Sequence, residues 1–262
     1  MDETNPRDVL VVGGGVAGRT AATFLARAGL DTLVVNAGES IVRRNAHLEN
    51  VPGFPAGVNS RLFTDLLDEQ ATRAGTETLT GRVVALDVLG TDNDPLFGAT
   101  VETDGDEDDT VELTATRVVA ASWSDASYLE ATGCELRQAG SKTYVEVDEL
   151  GRTNVPGLYA AGRLTEIYHQ TVIAAGDAAE TAITLIHDSE TPFYNDWVAP
   201  EGYFTGRGRE VPPACEEIDA DERERRETES REVMRAFFAE RHPEPQRTHP
   251  SLVDDELGRL DE

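Results

Sequence analysis

The stretch VLVVGGGVAGRTAATFLARAGLDTLVVNA, residues 9–37, decides how the rest of the chain is read. An apolar, β-branched run enters a glycine turn, an alanine-rich amphipathic segment follows, and a second β-branched run ends at Asn36. These periods spell a βαβ unit, and the glycines fall at the GxGxxG spacing of a dinucleotide fingerprint. Gly13 permits the tight turn out of the first strand, Gly15 lets the backbone approach a pyrophosphate, and Gly18 lets the helix pack on the strand. The first helical residues, Val16 and Ala17, then present unpaired N–H groups and the positive end of the helix dipole. An acid that grips the adenosine ribose is expected about 20 residues further on. Here the second strand ends at Asn36, followed by Ala37, with Glu39 just beyond. The Asn36 amide accepts a ribose hydrogen bond more weakly than a carboxylate does.

Composition narrows the class. The 262 residues suffice for one large domain or two modest ones, so a substantial core is available. Acidic residues number 50 against 23 basic ones, a net charge of -27, and Lys142 is the single lysine. An acidic, arginine-for-lysine surface fits halophilic adaptation, because high salt screens the self-repulsion of like charges. It argues against a nucleic-acid partner, whose phosphates this field repels. The polar start MDETNPRD does not resemble a signal peptide. No apolar run reaches the roughly 18 residues of a membrane span, so a cytoplasmic protein without a membrane partner is expected. Cys134 and Cys215 form neither a CxxC nor a zinc pattern and read as unpaired thiols.

In chain order, residues 37–60 read as an irregular loop, because two prolines and two glycines fall in its stretch NAHLENVPGFPAGV, residues 45–58. Ser60 caps a helix running to about Ala74. Alternation over 83–89, 99–102 and 111–113 predicts a β-meander with a solvated acidic turn, DGDEDD, at 104–109. Residues 118–121, 145–147 and 157–161 read as further short strands, and 170–186 as a long helix with small residues on one face.

Two further stretches, LENVPGFPAG at 48–57 and VPGLYAAGRLTEIYHQTVIAAGDAAETA at 155–182, join the opening fingerprint in order. Together they resemble the FAD domain of the low-molecular-weight thioredoxin reductases and related pyridine-nucleotide disulfide oxidoreductases, over roughly residues 8–188. The resemblance implies an α/β fold with a Rossmann-like FAD-binding domain at 1–188, and residues 189–262 form a C-terminal extension with no counterpart in it. It implies FAD as cofactor, with the pyrophosphate on the first helix and the isoalloxazine near Asn50 and the helix start at His169, Gln170 and Thr171. Val84, Ala120, Ala121 and Gly162 join the implied cofactor contacts.

Departures from the pattern are as informative. The family's NADPH domain and its CxxC are expected between the strand near Ala120 and the closing segment, where this chain has only a short joint and GCELRQAG. No second GxGxxG occurs. Where the family reads AGD, with an aspartate that accepts from the ribityl chain, this chain reads Ala161-Gly162-Arg163. An arginine cannot accept that bond but can donate to a phosphate.

His47, directly before the 48–57 stretch, and His169, inside 155–182, are the candidates for proton exchange with flavin or substrate. Cys134 reads as packing. The extension concentrates Phe193, Tyr194, Trp197, Tyr203 and Phe204, which either cover the flavin face or pack across the sheet or a dimer interface. Residues 219–241 read as a charged helix with an apolar corner at Val233, Met234, Phe237 and Phe238, and the residues from His242 onward as a loose arm. Two functions stand open. One is an FAD-dependent oxidoreductase, which the resemblance implies to be a homodimer, whose flavin is reduced by an external small-molecule or protein redox partner or by substrate. The other is a non-catalytic FAD-binding or electron-transfer module.

Overall fold

The computed structural model describes residues 5–103, 110–191, 195–255 and 258–260. The acidic turn at 104–109 lies outside them, as do Phe193 and Tyr194.

The opening stretch folds as read. Strand β1 (Arg7–Val12) leads through Gly13–Gly15 into helix α1 (Val16–Arg27), and strand β2 (Thr32–Asn36) returns parallel to β1. Helix α2 (Ser60–Arg73) starts from the side chain of Asn59, one residue before the expected Ser60 cap, whose oxygen accepts from the Arg61 and Leu62 amides. Strands β3 (Glu77–Thr80), β4 (Arg82–Val88), β5 (Phe97–Glu102) and β6 (Thr110–Ala120) follow. Then come the hairpin of β7 (Leu136–Ala139) and β8 (Lys142–Val145), strand β9 (Leu158–Ala160) and helix α3 (Thr171–His187).

One sheet orders these strands β3-β2-β1-β6-β5-β4, with β9 also on β6. The pairings β3-β2-β1-β6-β9 are parallel, and the β4-β5-β6 meander is antiparallel. Residues 111–113 and 118–120 therefore belong to a single strand, not two, which ends one residue before the expected Ala121. Its first half pairs with β5 and its second half with β9, so the burial pattern changes midway while the backbone continues.

Both faces of the parallel strands are covered, which explains their unbroken apolar runs. Val9, Val11, Val34 and Val119 pack against Ala21, Ala22 and Leu25 of α1 and Ala182, Leu185 and Ile186 of α3. Leu10, Val12, Leu33, Val35 and Val118 pack on the opposite side with Leu86, Phe97, Tyr128 and Leu129. Cys134 joins this second core, and burial pushes its thiol up to about 11, so it behaves as a small hydrophobe.

The extension adds a parallel pair, β10 (Trp197–Pro200) and β11 (Cys215–Ile218), and helix α4 (Ala220–Phe237), which Asp219 caps. Trp197, Tyr203 and Phe204 stack on one another edge to face. Asp196 pairs with Arg27 at the C-terminal end of α1, and Phe238 lies against Phe54. The described residues from His242 are not a loose arm. His242 bonds Asp65 at 2.8 Å, Gln246 accepts from Arg61 at 2.8 Å, and Arg247 pairs with Glu39 at 2.5 Å. No helix among the described residues is long and apolar enough to cross a membrane.

Candidate functional site

At the carboxyl ends of the parallel strands lies one open cleft of about 1150 Å³, at the large end for a small-molecule site. Its first wall is the glycine turn. Gly13 has φ +111°, a conformation that side chains resist, and a Cβ there would meet the Ala121 carbonyl oxygen at 2.4 Å. A Cβ on Gly18 would lie 1.8 Å from the Gly13 oxygen, so this glycine sets the approach of α1 to the turn. At Gly15 the nearest neighbour of a Cβ is Ser40 Oγ at 3.7 Å, which leaves room for a ligand atom instead.

The same cleft reaches the start of α3, where His47, Asn50, His169, Gln170 and Thr171 line it. Asn50 Nδ2 donates to Gln170 Oε1 at 2.6 Å, so the loop and the helix start form one surface. The Trp123 ring meets the His169 ring edge to face at 5.1 Å. Slight desolvation of this exposed side chain, with the positive charges of Arg163 and Lys142, holds the His169 imidazole below its ordinary value.

Two helix N-termini thus open on one cavity. Gly15 is the N-cap of α1 and Gln170 that of α3; neither supplies a side-chain cap, and neither helix carries an acid in its first turn. By contrast α4 has a capping aspartate and two acids there. In a chain with 50 acidic residues, two uncapped and acid-free N-termini facing one space leave orphan N–H groups that favour a phosphate at one end and a group that takes up negative charge at the other. A dinucleotide whose pyrophosphate sits at one end and whose ring system sits at the other fits that space.

Of the expected contacts, Gly13, Gly15, Val16, Ala17, Asn36, Ala37, Asn50, Ala121, Arg163, His169, Gln170 and Thr171 line the cleft. Gly18, Val84, Ala120 and Gly162 do not. Gly18 packs against Gly13, and Ala120 is fully buried in β6. Gly162 donates its N–H to Asp177 Oδ2 at 2.6 Å. At β4 the lining residue is Val83 and Val84 is exposed, because a bulge between Val83 and Ala85 shifts the alternation. Asn36 Oδ1 accepts from the Gly14 amide at 3.2 Å, so that oxygen already serves the turn. The Arg163 guanidinium donates to the Tyr144 hydroxyl at 2.7 Å and lies over that ring.

Sequence reading missed part of the wall. The loop read as irregular contains a 3-10 turn, Ile41–Arg44, and Glu39, Ser40, Ile41, Val42, Arg44 and Asn45 all face the cleft. Ser40 ahead of IVRR, accepting from the Val42 amide, is the local capping signal for that turn. None of the described extension residues lines the cleft, so Trp197, Tyr203 and Phe204 do not cover it. No cluster of metal-ligating side chains occurs among the described residues.

Known proteins bear on this site. The pattern described as "FAD binding domain" matches residues 8–47, and that described as "Pyridine nucleotide-disulphide oxidoreductase" matches residues 48–179. A thioredoxin reductase from Streptomyces coelicolor is 40% identical over 88 residues, which is 32% of this chain and 27% of that protein. One from Aquifex aeolicus is 37% identical over 83 residues, 31% of this chain and 26% of that protein. The matches thus span about a quarter of these relatives' length. The solved thioredoxin reductase from Gloeobacter violaceus superposes with a TM-score of 0.59 at 17% identity, covering 72% of this chain and 98% of that one, which is a likeness of fold. With a family pattern covering half of its length and a cleft suited to the cofactor, this chain belongs to the pyridine nucleotide-disulphide oxidoreductase family, is similar to thioredoxin reductases, and has FAD as its cofactor.

Proposed function

We propose that the chain is an FAD-dependent oxidoreductase whose flavin is reduced by an external donor or by the substrate itself. The observation that carries this reading is the pair of uncapped helix N-termini at the two ends of one cleft. In it the N–H groups of Gly15, Val16 and Ala17 hold the FAD pyrophosphate. His169, Gln170 and Thr171 lie by the isoalloxazine, which supplies the hydride or electron chemistry. The positive end of α3 there favours the ring with added negative charge, and the Asn50–Gln170 pair fixes that edge. His169, whose imidazole is held below its ordinary value, is the candidate proton carrier, with His47 on the same rim.

The reading of a flavin domain at 1–188 without an internal nicotinamide module is supported by the connection between β6 and β9. It holds a 3-10 turn (Ser127–Thr132) and the β7–β8 hairpin, and no second fingerprint. The alternative, a non-catalytic FAD-binding or electron-transfer module, is favoured by Arg163, which stands where the resemblance places an acceptor and is tied to Tyr144. Homodimerisation, a cytoplasmic location and salt adaptation remain part of the proposal.

The test is the visible spectrum of the purified protein, followed by anaerobic addition of NADPH, NADH or reduced ferredoxin. Bleaching by one donor, at a rate that a chemical acceptor sustains, supports the oxidoreductase. A yellow protein that no donor or candidate substrate bleaches supports the alternative, and a protein that refuses FAD overturns both.

A further inference from the structure

The C-terminal arm is built against the back of the cleft. The wall there runs from Glu39 through the 3-10 turn to Asn45, with Ile41, Val42 and Arg44 on the cleft. Arg43, between them, turns away and donates to Thr64 at 2.7 Å, to Asp65 at 2.8 Å and to Glu244 of the arm. A few residues on, Arg247 Nη1 pairs with Glu39 Oε2 at 2.5 Å, across 208 positions of sequence. The Arg247 side chain is only 5% exposed, while Glu39 is one of the residues lining the cleft. Such a buried guanidinium fixes its carboxylate partner in one direction.

Glu39 is also the acid nearest the end of β2, where the ribose of a dinucleotide lies. Asn36, at the strand end itself, spends its Oδ1 on the Gly14 amide. The second oxygen of Glu39 has no hydrogen-bond partner among the described residues. A free glutamate beside a pyrophosphate would repel it; one held by a buried arginine offers an acceptor with its charge offset.

We propose that Arg247 is a positioning residue for the cofactor: it aims the Glu39 carboxylate at the adenosine ribose hydroxyls of FAD, so that the C-terminal arm completes the FAD site. This rests on the placement of the pyrophosphate at α1 given above.

The full-length chain, reconstituted with FAD, is compared with R247A, E39A and R247A/E39A by FAD release on dilution, read from the recovery of flavin fluorescence. A charge-assisted hydrogen bond lost at the ribose gives roughly tenfold faster release in R247A. R247K restores part of it. In the E39A background the same arginine change alters release by less than about twofold, because the coupling acts through Glu39. FMN, which lacks the adenosine, binds R247A and wild type alike. Where the alanine variant does not fold, R247Q and R247Q/E39A carry the same comparison.

Wild-type release rates in R247A overturn the inference, as does a full effect in the E39A background or an equal loss of FMN binding. A wild-type protein that takes up no FAD overturns instead the function on which it rests.

Discussion

Replacing Gly15 and Gly18 separately by alanine divides the ligand's demand from the fold's. At Gly15 the backbone has φ -79°, open to any residue, and the added methyl meets only Ser40 Oγ at 3.7 Å. The apo protein should lose no more than about 1 kcal/mol, the ordinary difference between glycine and alanine at an N-cap. A pyrophosphate seated on this turn, however, meets the methyl and is pushed off the N–H groups of α1. Losing one charge-assisted hydrogen bond costs about 1.5–3 kcal/mol, or roughly a 10- to 100-fold weaker FAD affinity. At Gly18 the methyl would lie 1.8 Å from the Gly13 oxygen, and ordinary contact near 3.5 Å requires α1 to retreat by about 1.5 Å. That overpacking costs about 1–3 kcal/mol in the apo protein before any ligand is added. Thermal unfolding of the apo forms and FAD titration followed by flavin fluorescence measure the two effects. If G15A binds FAD as tightly as wild type while remaining folded, the pyrophosphate is not on this turn and the reasoning fails.

Three further outcomes follow from the same geometry. N50L removes the donor to Gln170 from a surface position, so stability should change by about 1 kcal/mol or less while the absorption bands of bound FAD shift; an unchanged spectrum removes Asn50 from the ring end. Slight desolvation, with Arg163 and Lys142, lowers the His169 value, so unfolding takes up a proton in the window below about 6.5, and this group's share of stability is present above that pH and lost on acidification. A proton NMR titration should place its midpoint below that of an ordinary histidine, and R163Q should move it up; an unmoved midpoint dismisses the Arg163 contribution. With a net charge of -27, the thermal midpoint should rise between 0.1 and 2 M KCl as the screening length falls from about 10 Å to under 3 Å, and a flat or falling curve would count against salt adaptation.

The βαβ unit was legible because β1 and β2 are buried on both faces and the glycines have no other steric solution. The far end of the cleft was legible through Asn50 and Gln170, since both lie in motifs that resemble a known domain. Less was visible where a pattern depends on partners far away. Strand β3 reads Glu-Thr-Leu-Thr and lies exposed at the sheet edge, with no alternation to announce it. Strand β6 looked like two strands because its neighbour changes along its length, and the Val83–Ala85 bulge moved the lining position by one residue. The arm was the largest surprise. Its hold on Glu39, Arg61, Arg43 and Asp65 consists of single polar pairs between residues more than 170 positions apart, and no local periodicity encodes such pairs.

A crystal structure of the FAD complex tests the central claim most directly. The pyrophosphate oxygens should lie within hydrogen-bond distance of the backbone N–H groups at Gly15 and Val16, with the isoalloxazine between Asn50 and the first turn of α3. FAD bound in the reverse sense, or outside the cleft that joins these two helix starts, would contradict it.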